Sequence, residues 1–96
     1  MFPALTYFVQ CYLHQDWPDE YAEVWDALAA FKSAEGGEMV NQLAADIDAA
    51  LARFPAEDDL RALLIGQLGS YYLPDGDGLS FRGWLTMLRE KAVATP

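Results

Sequence analysis

Apolar residues recur along this chain every three or four positions, and no segment shows the strict alternation of a strand. Leu5, Phe8, Val9 and Tyr12 fall at i, i+3, i+4 and i+7, one face of a helix expected over residues 3–13. Pro3 suits its first turn, where the missing N–H costs nothing, and Pro18 disfavours α backbone at Trp17 and ends it. A second stripe, Tyr21, Val24, Leu28 and Phe31 with Trp25 beside it, predicts a helix over 19–33. Asp19 and Glu20 suit its N-terminal end, and Glu20, Glu23 and Asp26 lie on its wet side. Gly36-Gly37 break the pattern. Val40, Leu43, Ile47, Leu51 and Phe54 line a third helix over 38–54, rich in alanine and stopped by Pro55. A fourth helix over 56–68 opens on Glu57-Asp58-Asp59 and buries Leu60, Leu63, Leu64 and Leu68. Gly66 inside it marks either tight packing or fraying, and Gly69 suits its C-terminal cap.

Residues 70–79 form the one loop, with turn signals at Pro74-Asp75-Gly76 and Asp77-Gly78. Ser80 caps a last helix over 81–92, with Phe81, Trp84, Leu85 and Leu88 inward and Arg89 and Lys91 in its last turn. Residues 94–96 read as a frayed tail. The expectation is an all-α chain, one domain over residues 1–96, built as a compact bundle of about five helices.

Composition agrees with a folded domain. The 96 residues are 53% hydrophobic, and a chain of this size buries roughly 60–65% of its unfolded surface. Charge narrows the function. Fifteen acids against six bases give a formal net charge of -9. Such a chain repels nucleic acid and anionic membranes, so basic proteins or cations are its natural partners, unless the charge serves solubility alone. One cysteine makes no intrachain disulfide and fits a reducing compartment. Without a basic leader or an apolar run of about 20 residues, the chain is expected to be complete and cytoplasmic.

Candidate chemistry is sparse. Cys11, His14 and Asp16 suggest a nucleophile, base and orienter, but Cys11 sits inside a helix with no encoded oxyanion donor. Helical cysteines usually serve as small buried hydrophobes. One His and one Cys do not make a zinc site. Asp75-Gly76-Asp77-Gly78 starts like a calcium loop, yet Leu79 and Thr86 stand where oxygen ligands belong, so a turn is the better reading. No catalytic residue, metal or cofactor is expected. Asp16 is expected to cap the second helix, with His14 bonding across the turn. Trp25 and Trp84 are expected in the core. Trp17, Tyr71 and Tyr72 either cover the core or form an interface.

Three pieces together carry a family resemblance. They are the corner Tyr12, His14, Gln15, Asp16 and Trp17, the loop Gly69, Tyr71, Tyr72 and Pro74, and the helix start Ser80, Trp84 and Leu85. The chain resembles the immunity proteins of contact-dependent growth inhibition. The resemblance implies a small helical protein, not an enzyme, that binds in the cytoplasm the C-terminal domain of a surface-displayed toxin, commonly a nuclease and often one acting on tRNA. It transfers a role and no catalytic residues. Charge supplies a mechanism, since carboxylates can occupy the basic cleft of a nuclease in place of its substrate. The alternative is an acidic nucleic-acid mimic or adaptor that inhibits another nucleic-acid-binding protein. Two surfaces are candidates for toxin binding: the acids Asp16, Asp19, Glu20, Glu23 and Asp26, and the loop residues Tyr71, Tyr72, Asp75 and Asp77. No nucleic acid, membrane or metal is expected as a partner.

Overall fold

The structure, a computed structural model, describes residues 1–94. The described residues form helices and turns, with no strand. Helix α1 spans Pro3–Tyr12, α2 is a single turn at Trp17–Glu20, α3 spans Val24–Arg53, α4 spans Glu57–Arg61, and α5 spans Phe81–Val93. A wide π turn over Ala62–Gln67 continues α4, and a 3-10 turn covers Pro74–Asp77. Of the expected tail, Thr95 and Pro96 lie outside the described residues.

The apolar stripes meet in one core. Leu5, Phe8 and Val9 of α1 pack with Leu28, Phe31, Leu43 and Ile47 of α3, with Leu60 and Leu64, and with Phe81, Trp84, Leu85 and Leu88 of α5. Aromatic edges fix the contact between α1 and α3: Phe8 and Phe31 meet at 5.2 Å and 79°, and Tyr12 and Phe31 at 5.5 Å and 81°.

What orients these helices is the closure of their ends by side chains from other elements. A helix leaves N–H groups unpaired at its start and C=O groups unpaired at its finish. Helix α1 has no acid in its first turn and no cap of its own, and Phe2 before it is left-handed, with φ +56°. Asp46 of α3, only 5% exposed, supplies the cap. Its Oδ2 accepts from the N–H groups of Ala4 at 2.7 Å and Leu5 at 3.1 Å. Gln42 Nε2 donates to its Oδ1 at 2.9 Å. Glu57 likewise accepts the N–H groups of Phe81 and Arg82 at the start of α5, where Ser80 also caps as expected, accepting from Gly83 at 2.9 Å. At the negative ends the partners are cations. Arg82 donates to the carbonyls of Leu51 in the last turn of α3 and of Pro55 just beyond it, and Lys32 to those of Lys91 and Ala94 at the end of α5. Acids close N-termini and bases close C-termini, as the helix dipole favours.

Two expected elements are divided differently. The helix expected over 19–33 begins at Val24, because Tyr21 is extended (φ −134°, ψ 136°). Glu23 and Asp26 then make a reciprocal capping box, with Asp26 accepting the Glu23 N–H at 3.3 Å. The Glu-x-x-Asp spacing, expected on the wet side of that helix, is its start signal. The expected break at Gly36-Gly37 is a kink within α3: Gly36 alone leaves helical geometry, with φ +81° and ψ 175°. That backbone is open to glycine and almost nothing else. Trp25 is half-buried rather than buried, and Lys91 Nζ lies over its ring at 5.1 Å.

Glu35, just before the kink, ties α3 to the far end of α1. It accepts from the hydroxyls of Tyr7 at 2.8 Å and Tyr12 at 3.2 Å. Burial first, then the bond to Glu35 and its charge, push the Tyr12 hydroxyl up to about 12. The bond to Glu35 is the main cause of the rise at Tyr7.

Three outcomes are expected. Asp46→Ala strands two buried N–H groups and lowers stability by about 2–3 kcal/mol in urea unfolding. Gly36→Ala meets no neighbouring atom, so backbone strain alone lowers stability, by about 1–3 kcal/mol. An unfolded tyrosine ionises near about pH 10, so between about pH 10 and about pH 12 the unfolded chain gives up a proton that folded Tyr12 keeps. Stability therefore falls as pH rises through that window, and denaturant midpoints of Tyr12→Phe should fall less steeply there than those of the unaltered chain.

Candidate functional site

The corner between α1 and α2 faces the loop that follows the π turn. Leu60, Leu63, Leu64 and Leu68 are all buried, as expected. The helix widens over Ala62–Gln67, where the chain turns towards the loop. Gly69, left-handed at φ +75°, turns the chain, and the Ser70 N–H closes back on the Leu64 carbonyl at 2.9 Å. No atom lies within 4 Å of a Cβ built on Gly66, so tight packing does not explain that glycine. Beyond Gly69 the side chains alternate: Tyr71 outward, Tyr72 inward, Leu73 outward, Pro74 inward.

The corner clamps this extended stretch. The Leu13 carbonyl accepts the Tyr71 N–H at 3.0 Å, and Trp17 Nε1 donates to the Tyr71 carbonyl at 3.3 Å. The Trp17 ring stands edge-on to Tyr72 at 5.6 Å and 79°, and Tyr72 leans on Trp84 at 5.1 Å. The three motifs that carry the family resemblance are therefore one packed unit. Ser70 Oγ accepts the Tyr72 N–H at 3.1 Å and donates to its carbonyl at 3.0 Å. The Tyr72 hydroxyl donates to Asp77 Oδ2 at 2.7 Å. Burial, then the Asp77 bond and charge, drive that hydroxyl well above the ordinary tyrosine range.

His14 holds the corner itself. Its Nδ1 accepts the Asp16 N–H at 3.1 Å, so the neutral ring carries its proton on Nε2, which meets Glu20 Oε2 at 2.7 Å. Both nitrogens are thus engaged within the turn, as expected for a bond across it, and neither is left to activate Cys11. Two expectations need correction. Cys11 is exposed, not a buried hydrophobe, because α1 turns Ala4, Leu5, Phe8 and Val9 inward and leaves Cys11 on its outer side. The Asp16 side chain does not cap α2; the Asp16 carbonyl accepts the Asp19 N–H at 3.0 Å instead.

The first candidate surface splits on inspection. Asp16, Asp19 and Glu20 are exposed on the corner and the single turn of α2. Glu23 and Asp26 are exposed too, but serve the capping box of α3. In the second surface, Tyr71, Asp75 and Asp77 are exposed, and Arg61 pairs with Asp75. Tyr72 drops out of the outward-facing set: its ring is 4% exposed, held between Trp17 and Trp84. Leu73 takes the place beside Tyr71 and was missed, although the alternation after a C-capping glycine encodes it. Trp17 ties the corner to the loop. Among the described residues no group of three or more His, Cys, Asp or Glu side chains is placed to hold a metal, and no helix is long and apolar enough to cross a membrane.

Comparison with known proteins bears on this arrangement. A family model described as CdiI immunity protein matches residues 1–92. Curated protein sequences give no match. Among solved structures, the fold is similar to a chain in the crystal structure of a CdiA-CT/CdiI complex from Y. kristensenii 33638, with a TM-score of 0.89 and 30% sequence identity, covering 95% of this chain and 97% of that one.

The clamp makes a testable claim on stability. Trp17→Ala removes the half-buried ring and the bond to the Tyr71 carbonyl, and should cost about 2 kcal/mol, less than a fully buried tryptophan. Tyr72→Phe keeps the ring and loses only the hydroxyl's bond to exposed Asp77, for about 1 kcal/mol. Urea unfolding of both variants checks the order of the two effects.

Proposed function

The chain belongs to the CdiI immunity protein family, and we propose that it neutralises a contact-dependent growth inhibition toxin by binding that toxin's C-terminal domain. In this reading the protein acts in the cytoplasm as one folded domain, by binding and without catalysis. It covers a basic active site of a nuclease, one acting on tRNA being the leading case. The observation that carries the reading is the likeness, over nearly the whole chain, to a protein crystallised in a CdiA-CT/CdiI complex. The formal net charge of -9 supports the mechanism. A nuclease must attract phosphates, so its cleft is positive, and carboxylates from another protein are attracted by the same field.

The exposed acids of the corner, Asp16, Asp19 and Glu20, and of the loop, Asp75 and Asp77, form the surface offered to the toxin. Glu23 and Asp26 extend it along the start of α3. Charge of this kind works on encounter: it steers a partner and raises the association rate, up to about 10⁸–10⁹ M⁻¹s⁻¹ at low salt. Fast capture matters when the toxin domain arrives from a neighbouring cell.

Co-expression with the toxin domain encoded beside this chain should restore growth and yield a complex that co-purifies. Growth arrest with no complex would refute the reading. Association should slow at least about tenfold between low and high salt, as the Debye length shrinks from about 30 Å to about 3 Å. Asp16→Lys with Asp19→Lys spares the capping box of α3 and should lower the low-salt association rate about tenfold with little change in dissociation. Stopped-flow mixing at several salt concentrations measures both effects.

A further inference from the structure

The geometry points to Tyr71 and Leu73 as the apolar anchor by which this chain grips the toxin domain, over a groove shared with Ile65, Gly69 and Ser70. This rests on the toxin-binding reading and adds which side chains keep the partner bound once charge has brought it in.

The argument starts from exposure. Among the described residues the large apolar side chains left in solvent are Met1, Tyr71, Leu73 and Val93. Met1 is the first residue and Val93 ends the last helix. Tyr71 and Leu73, 59% and 52% exposed, instead sit in the loop that the corner clamps. Both backbone polar groups of Tyr71 are bonded to the corner. Tyr72 between them is buried, bracketed by Ser70 and bonded to Asp77. The Tyr71 side chain is thus held outward by a fixed backbone, and Leu73 points outward two residues on. Ordering that a partner would otherwise impose is already done, which favours tight binding.

The groove supplies the receiving half. It is an open depression of about 390 Å³ between Ile65, Gly69, Ser70, Tyr71 and Leu73. The π turn and left-handed Gly69 open it, and π turns often occur at functional sites. Charge names the occupant. Asp75 and Asp77 follow within the same loop, bonded to Arg61 and to the Tyr72 hydroxyl, and Asp16 and Glu20 are exposed on the corner that clamps the loop. An apolar centre with an acidic rim fits a basic protein surface that presents an aliphatic or aromatic side chain. It does not fit a nucleic acid, which the rim repels. Once a partner desolvates it, an aromatic and aliphatic centre of this kind is what an interface hot spot requires.

The two parts of the surface then divide the kinetics. Rim charges set association, and the anchor sets dissociation. Binding of Tyr71→Ala/Leu73→Ser to the toxin domain, followed by surface plasmon resonance, tests this, with circular dichroism reporting the fold. Dissociation should quicken at least about 30-fold, while the association rate and its salt dependence stay within about twofold. Leu73→Met, which keeps an apolar side chain, should stay within about threefold of the unaltered chain. If the double variant loses helix content, Leu73→Ser alone carries the test, with dissociation about fivefold faster expected. Dissociation that remains within about twofold in a folded variant, while Asp16→Lys/Asp19→Lys still slows association, overturns the anchor and leaves the toxin-binding reading standing. An unaltered chain that does not bind the toxin domain overturns both.

Discussion

A carboxylate buried in the second arm of α3 determines how the first helix is held. Helix α1 carries neither an acid nor a side-chain cap at its own start. Asp46 provides both the charge and the acceptors from outside. Burying an ion is costly unless its bonds replace those of water. Here two backbone N–H groups, one amide side chain and the positive end of a helix do so. With its start pinned by Asp46 and its far end by Glu35, α1 has one orientation across α3. That orientation delivers the Leu13 carbonyl to Tyr71. An exposed loop is thus located through a bond in the interior.

Much of this architecture was legible in the chain. Apolar spacing located the stripes of α1, of both arms of α3 and of α5, and the punctuation by Pro3, Gly36, Gly69 and Ser80 fell where the backbone turns. These are local signals, and local physics suffices to read them. The trans caps were not legible, because Asp46 and Glu57 lie 42 and 24 residues from the N–H groups they serve. No periodicity in a single segment reports such a pairing. The division at Val24 was readable in principle, since Glu23 and Asp26 have capping-box spacing, but two acids three apart also suit a wet face.

The candidate surface shows a different limit. Composition pointed to acids, and five of them were placed together from their closeness in sequence. The fold regroups them: Asp16, Asp19 and Glu20 stand by the corner, while Glu23 and Asp26 begin the long helix. Tyr71 and Tyr72 are adjacent and chemically identical, yet one is exposed and the other buried. Only the extended backbone after Gly69 tells them apart. The motif residues His14, Trp17 and Tyr72 spend their polar groups on the turn and the loop, and the rings of Trp17, Tyr72 and Trp84 pack on one another. The side chains of Tyr71, Leu73, Asp16 and Asp19 have no such internal duties, so they can be exchanged without disturbing the clamp. One scaffold can in this way carry different recognition surfaces.

The clamp also orders events in time. Trp17 and the Tyr71 carbonyl it holds are 54 residues apart, and Trp84, against which Tyr72 leans, comes later still. Contacts so distant in sequence form late and cost more chain entropy than a helix does. A nascent chain can wind α1 and α3 while the corner stays unmatched. The loop takes its outward-facing shape only once α5 has been made and has closed on the core, so the surface arrives all at once, after α5.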